Sequence, residues 1–91
     1  MKAGLITGAS SGIGKELARI HASNGNNVIL VARRMEQLKE LAEEIETKYK
    51  VKTLVFSVDL GNIDEVNSLI STIKSKGVFV NYLFNNAGFG G

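Results

Sequence analysis

The chain alternates between short apolar runs and longer stretches whose apolar residues recur every three or four positions. Leu5 and Ile6 centre the first run, read as a strand from about Ala3 to Thr7. Ile13, Leu17 and Ile20 then fall on one side of a helix from about Gly12 to Ser23, and Asn24-Gly25-Asn26 supplies its stop. Val28-Ile29-Leu30-Val31-Ala32 is apolar without a break, the pattern of a parallel strand covered on both faces. A second helix, about Met35 to Tyr49, sets Met35, Leu38, Leu41, Ala42, Ile45 and Tyr49 on one stripe, with Glu and Lys on a solvated face. Val51 to Val58 reads as the third strand. Asn62 is placed to cap a third helix with Glu65 reaching back to it. Ile63, Val66, Leu69, Ile70 and Ile73 of that helix are expected to face the sheet, and Gly77 to end it. Tyr82-Leu83-Phe84 forms the core of a fourth strand running out into Asn85 and Asn86.

Four strands separated by three helices call for right-handed crossovers and a parallel sheet. The expected class is α/β in three layers, with the first strand inside and the order 3-2-1-4. A ligand then belongs at the carboxyl ends of strands one and four, where the winding reverses. At 91 residues the chain fits one domain of modest stability. A net charge of +2, with no basic block, excludes a general nucleic-acid argument. There is no cysteine, so nothing points to an oxidising compartment. The opening residues are too short in their apolar run for a signal peptide, and no span is long enough to cross a membrane. The expected location is the cytoplasm, with neither nucleic acid nor membrane as partner.

The candidate chemistry lies in Thr7-Gly8-Ala9-Ser10-Ser11-Gly12-Ile13-Gly14, between the first strand and the first helix. A strand that turns through glycines straight into a helix gathers free backbone N–H groups at the positive end of a helix dipole, a place for phosphate or pyrophosphate. The spacing is Gly-x-x-x-Gly-x-Gly, so the common Gly-x-Gly-x-x-Gly fingerprint fails. The phosphate loop of nucleotide hydrolases fails too, because Glu16 follows Gly14-Lys15 and Ala9 stands where its first glycine belongs. In the longer turn, Gly8 permits an unusual φ and Gly12 removes a Cβ where a pyrophosphate approaches. Gly14 lets the helix start pack close to the sheet. Ser10 and Ser11 offer hydroxyls to phosphate or to the loop itself.

This octapeptide, with Val58-Asp59-Leu60 after the third strand and Asn85-Asn86-Ala87-Gly88 after the fourth, closely resembles the short-chain dehydrogenase/reductase family. The resemblance runs from the first residues to Gly88, with separated motifs in the right order. It implies a doubly wound, Rossmann-like sheet that binds NAD or NADP and passes hydride between nicotinamide and an alcohol or carbonyl. This chain is less than half as long as typical members. The expectation is therefore a single NAD(P)-binding segment over residues 1–91, a truncated half of the doubly wound fold without the catalytic C-terminal part.

In such a site an NAD-preferring protein carries Asp or Glu at the end of the second strand. Here Ala32 occupies that place and Arg33-Arg34 follow. A guanidinium bonds a 2′-phosphate in a bidentate manner where a carboxylate repels it, so NADP(H) is favoured over NAD(H). Family resemblance makes Arg33 the reader of the phosphate, with Arg34 in support. A cation at a helix N-terminus is unfavourable by ~0.3–1 kcal/mol, so the pair wants a reason. Asp59 is expected to accept from the adenine amino group while Leu60 backs the ring, although a plain loop cap by Asp59 competes with that role. Asn85 resembles the family residue that ties the central strands together and borders the adenosine. Ala87 and Gly88 would keep the wall beside the ribose thin, and Ile13 would lie under the nicotinamide end.

The family's catalytic Ser, Tyr and Lys lie downstream of the Asn-Asn-Ala-Gly segment. Tyr49 and Tyr82 are followed four residues on by Thr53 and Asn86, not by Lys, so no catalytic residue is assigned. No metal site is suggested, and His21 reads as a packing or partly exposed residue. The leading expectation is the NADP-binding front part of an oxidoreductase, inactive alone. Two alternatives stay open: a non-catalytic nucleotide-binding or regulatory module, and a structural remnant that binds nothing. The uncharged stretch Val78 to Phe84 leaves Asn81 to Asn85 as an edge strand, which predicts self-association through strand four.

Overall fold

The structure, a computed structural model, describes residues 1–85. Its elements follow in the order β1 (Lys2–Thr7), α1 (Gly12–Ser23), β2 (Asn27–Ala32), α2 (Met35–Tyr49), β3 (Thr53–Ser57), α3 (Ile63–Ser75) and β4 (Phe79–Asn85). The strands form one sheet in the order β3-β2-β1-β4, every neighbouring pair parallel. Parallel pairing forces each connection to cross over the sheet, and the helices supply the crossovers. The expected α/β class, layer count and strand order are all found.

Strand alternation divides the core in two. Ile6, Val28 and Leu30 point to the side covered by α1 and α2, where they meet Ala18, Ala22, Leu38, Leu41, Ala42 and Ile45. Ala3, Leu5, Ile29 and Val31 point to the other side, against Leu69 and Ile73 of α3 and Val58. Val28 through Val31 are fully buried, which explains why β2 reads as an unbroken apolar run. Arg19 of α1 reaches across to α2, where its Nε donates to Glu44 Oε2 at 2.7 Å. That bond holds the Glu44 carboxyl below the ordinary carboxylate range.

Two helix faces differ from their expected phase. Ile13 and Ile20 are 70% and 56% exposed, whereas α1 rests on Gly14, Ala18, His21 and Ala22. These four share a helical stripe one residue on from the Ile13-Leu17-Ile20 stripe. The small side chains of Gly14, Ala18 and Ala22 let the helix backbone lie close to β1, and closeness outweighs the larger apolar groups alongside. Likewise α3 buries Leu69 and Ile73, while Ile63 and Ile70 on its flank are 69% and 46% exposed. Met35 and Tyr49 on the α2 stripe are half-buried.

Boundaries shift as well. β3 is shorter than Val51 to Val58 because Lys50, in the left-handed region at φ 59°, ends α2 and turns the chain. Lys52 N–H then donates to the Asn27 side chain at 2.9 Å. β4 starts early at Phe79, and its register against β1 slips between Ala3 and Gly4, leaving Asn81 as an extra residue. Gly25 (φ 84°) and Gly77 (φ 69°) follow the ends of α1 and α3 as the sequence predicts. His21 is buried, its ring edge-on to Tyr82 and Phe84 of β4 at centroid distances of 5.2 and 5.4 Å. It is a packing residue, not a partly exposed one. Gly4 lies beneath it, where a Cβ would come 2.6 Å from His21 Cδ2.

Candidate functional site at the strand ends

The carboxyl ends of all four strands lie along one rim, with Thr7 paired to Val31 on one side and to Asn85 on the other. After β1 the chain turns at Gly8, whose φ of 63° is in the region that favours glycine. Ala9 N–H donates to the Val31 carbonyl at 3.1 Å, which stitches the bend to β2. Ser11 is the N-cap: its Oγ donates to the Gly8 carbonyl at 2.9 Å and accepts from Gly14 N–H at 3.1 Å. Ser10 is half-buried and makes no side-chain hydrogen bond among the described residues.

Glycines 12 and 14 stand in opposite surroundings. A Cβ on Gly14 would run into the Gly8 carbonyl oxygen and come 2.9 Å from Ala9 Cα, both backbone atoms. A Cβ on Gly12 would meet nothing within 4 Å among the described residues. Gly14 is needed by the fold, while Gly12 keeps open a space that the fold itself does not fill. The amides of Gly12 and Ile13, first in the helix, have no acceptor among the described residues. The positive end of the α1 dipole adds roughly half a charge beside them.

At the end of β2, Arg33 and Arg34 are exposed. Ser57 Oγ donates to the Arg33 carbonyl at 2.8 Å, and Val58 N–H donates to the Ala32 carbonyl at 3.0 Å. These bonds fix the end of β2 against β3. Arg34 occupies the N-cap position of α2 without a side-chain capping bond. Arg33 Nη2 donates to Asp59 Oδ1 at 3.2 Å.

Asp59 also caps its own loop, its Oδ1 accepting from Gly61 N–H at 2.9 Å. Its backbone N–H donates to Glu65 Oε1 at 3.2 Å. Glu65 thus reaches back past Asn62, while Asn62 Oδ1 accepts from the amides of Asp64 and Glu65 as a helix cap should. Leu60 is half-buried on the α3 side of the core. Asn85 Oδ1 accepts from Thr7 Oγ1 at 3.0 Å, a side-chain tie between β1 and β4. Ile13 stands exposed at the mouth of the bend. Ala87 and Gly88 lie outside the described residues.

Sequence reasoning missed the Thr7 hydroxyl, Ser57 and the Arg33–Asp59 pair. The signal for the last was available. In the order 3-2-1-4 the ends of strands two and three are neighbours, so a cation just past one faces a carboxylate just past the other. A separate groove runs between β3 and α3, walled by Phe56, Val58, Asn62, Glu65 and Leu69. Its lining is acidic, polar and apolar, with no cation among the described residues, so it does not suit a phosphate. Among the described residues no helix is long and apolar enough to cross a membrane.

A model of the short chain dehydrogenase family matches residues 2–91. The chain belongs to that family. Among its short-chain dehydrogenase relatives, the very-long-chain 3-oxoacyl-CoA reductase of Meyerozyma guilliermondii is 50% identical over 86 residues, covering 92% of this chain and 25% of the relative. The NADP-dependent 3-hydroxy acid dehydrogenase of Schizosaccharomyces pombe is 39% identical over 85 residues, 92% of this chain and 33% of its own. The chain spans about a quarter to a third of the length of these curated relatives. Among solved structures, the L-sorbose reductase of Gluconobacter frateurii, complexed with NADPH and L-sorbose, superposes with a TM-score of 0.91 at 36% identity, over 99% of this chain and 34% of that one.

Proposed function

We propose that the chain is the NADP(H)-binding front portion of a short-chain oxidoreductase. The observation that carries this reading is the space at Gly12 left open by the described residues, beside two helix-start amides without an acceptor among them. Phosphate oxygens supply what those amides lack, and a missing Cβ admits them. Gly8, Ser10, Ser11, Gly12, Ile13 and Gly14 would line the pyrophosphate and nicotinamide side, with Asp59, Leu60, Asn85, Ala87 and Gly88 toward the adenosine. Arg33, with Arg34 behind it, would take the 2′-phosphate. Solved family members with bound NADPH or NADP support the same cofactor class for this chain.

A dinucleotide held by these residues would supply hydride transfer between its nicotinamide and a carbonyl or alcohol. The residues of this chain bind and orient. None is assigned a proton transfer, since neither Tyr49 nor Tyr82 has a lysine four residues on. We place the protein in the cytoplasm and expect the 91-residue chain to self-associate through β4, whose Phe79, Tyr82 and Leu83 are exposed.

Calorimetric titration of the 91-residue chain tests the reading. NADPH is expected to bind more tightly than NADH, and Arg33→Ala to weaken NADPH by ~1.5–3 kcal/mol with little change for NADH. A flat titration at millimolar NADPH refutes cofactor binding. Equal weakening of both cofactors refutes the role of Arg33.

A further inference from the structure

The guanidinium assigned to the 2′-phosphate already holds an anion. Arg33 Nη2 donates to Asp59 Oδ1 at 3.2 Å, and the two side chains are 74% and 45% exposed. Both partners are anchored through their backbones. Ser57 Oγ donates to the Arg33 carbonyl, Glu65 accepts the Asp59 N–H, and the Asp59 carbonyl accepts from Asn62 N–H. The Gly61 amide holds the carboxylate oxygen as well. The carboxylate is therefore a fixed neighbour of a long, solvent-exposed cation.

We propose that Asp59 is a specificity-determining residue, an anionic placeholder that neutralises Arg33 and tempers the preference for the 2′-phosphorylated cofactor. The proposal rests on the reading of Arg33 given above. A phosphate monoester brings roughly two negative charges. In this structure it meets a pair whose charges sum to zero instead of a free guanidinium. Binding must either part Arg33 from Asp59 or seat the phosphate beside a carboxylate, and each alternative opposes NADPH. A cofactor with a plain 2′-hydroxyl brings no such charge and is not opposed. The contact is single, exposed and not bidentate, so it tunes the equilibrium without blocking it, by up to about fivefold.

The test is Asp59→Asn. The amide oxygen still accepts from Gly61, so the loop keeps its cap while the charge is removed. In low salt, the ratio of NADPH to NADH affinity should rise about two- to fivefold in the variant, any effect at the shared adenosine end cancelling in the ratio. That gain should shrink as ionic strength rises toward about 0.5 M. The double variant Arg33→Ala/Asp59→Asn should recover part of the NADPH affinity lost in Arg33→Ala, because no bare carboxylate remains to repel the phosphate. Equal weakening of NADPH and NADH by Asp59→Asn overturns the proposal and gives Asp59 to the adenine. Selective weakening of NADPH overturns it too and makes Asp59 a positioning residue for Arg33. An unchanged ratio in a protein that still prefers NADPH overturns the coupling alone, whereas a wild type that binds neither cofactor overturns the underlying reading with it.

Discussion

Gly12 and Gly14 stand two residues apart in one bend, yet alanine should act oppositely at the two sites. At position 14 the new Cβ would come 2.9 Å from Ala9 Cα, about 0.5 Å short of ordinary contact, and nearer still to the Gly8 carbonyl oxygen. Both obstacles are backbone, and the same carbonyl accepts from Ser11, so neither can swing aside. Overpacking of this kind costs about 1–3 kcal/mol, and the upper half applies where no side chain can yield. Helix propensity returns roughly 0.5–1 kcal/mol on replacing glycine by alanine, leaving a net loss of about 1–2 kcal/mol. For a domain of this size that lowers Tm by about 5–15 °C. At position 12 the new methyl meets no atom, so Gly12→Ala should be neutral or stabilising by up to about 1 kcal/mol. It should still weaken NADPH by tenfold or more, since the methyl occupies the space assigned to the pyrophosphate. Thermal melts by circular dichroism and cofactor titrations of both variants decide the matter. A Gly14→Ala protein as stable as the wild type would show that the helix start is not wedged against the bend. A Gly12→Ala protein with undiminished affinity would show that the bend is no phosphate cradle.

Two further outcomes follow from groups outside the bend. Burial pushes the His21 imidazole pKa below its ordinary value, and its Nε2 has no hydrogen-bond partner among the described residues. The unfolded chain thus takes up a proton that the folded chain resists, so stability should be constant above about pH 6.5 and fall below it, by at most about 1.4 kcal/mol per pH unit. Urea midpoints at pH 7.5 and 5.5 should differ for the wild type and coincide for His21→Leu; a wild type indifferent to this step refutes the burial argument. Self-association through β4 should appear as a concentration-dependent mass in sedimentation and vanish in Leu83→Lys, which sets a charge on the exposed edge. A wild type that stays monomeric at high concentration counts against it.

The fold was legible because its signals are local and repeated. The unbroken run Val28 to Val31, the capped helix starts and the glycine stops each act within a few residues, and their alternation leaves few ways to wind a parallel sheet. The helix faces were less legible because hydrophobicity and proximity pull in different directions. In α1 the larger apolar residues lie on the Ile13-Leu17-Ile20 stripe, but Gly14, Ala18 and Ala22 are what allow the helix to approach β1. His21 completes that buried face only because Gly4, seventeen positions earlier, has no side chain to exclude it. A pattern confined to one helix cannot register a vacancy in the strand below.

The rim divides in the same manner, and the division says what kind of site this is. Its bend is made by seven consecutive residues, Gly8 to Gly14, shaped by their own glycines and one serine cap and stitched to β2 by the single bond from Ala9 N–H to the Val31 carbonyl. A backbone cradle of that sort reads any pyrophosphate alike and carries no preference between dinucleotides. Discrimination must come from side chains at the neighbouring strand ends, and those meet only after β2 and β3 have paired. Arg33 and Asp59 are 26 residues apart in the chain and 3.2 Å apart in the structure. Read singly, one looks like a phosphate reader and the other like an adenine acceptor or a loop cap. Read together, they form a neutral pair, and the proposed selectivity would depend on which partner an incoming phosphate displaces. On the proposed reading, affinity would be held in the local bend, and selectivity in a contact that only the sheet brings about. On that reading, a substitution at either charged residue should alter cofactor choice without disturbing the cradle.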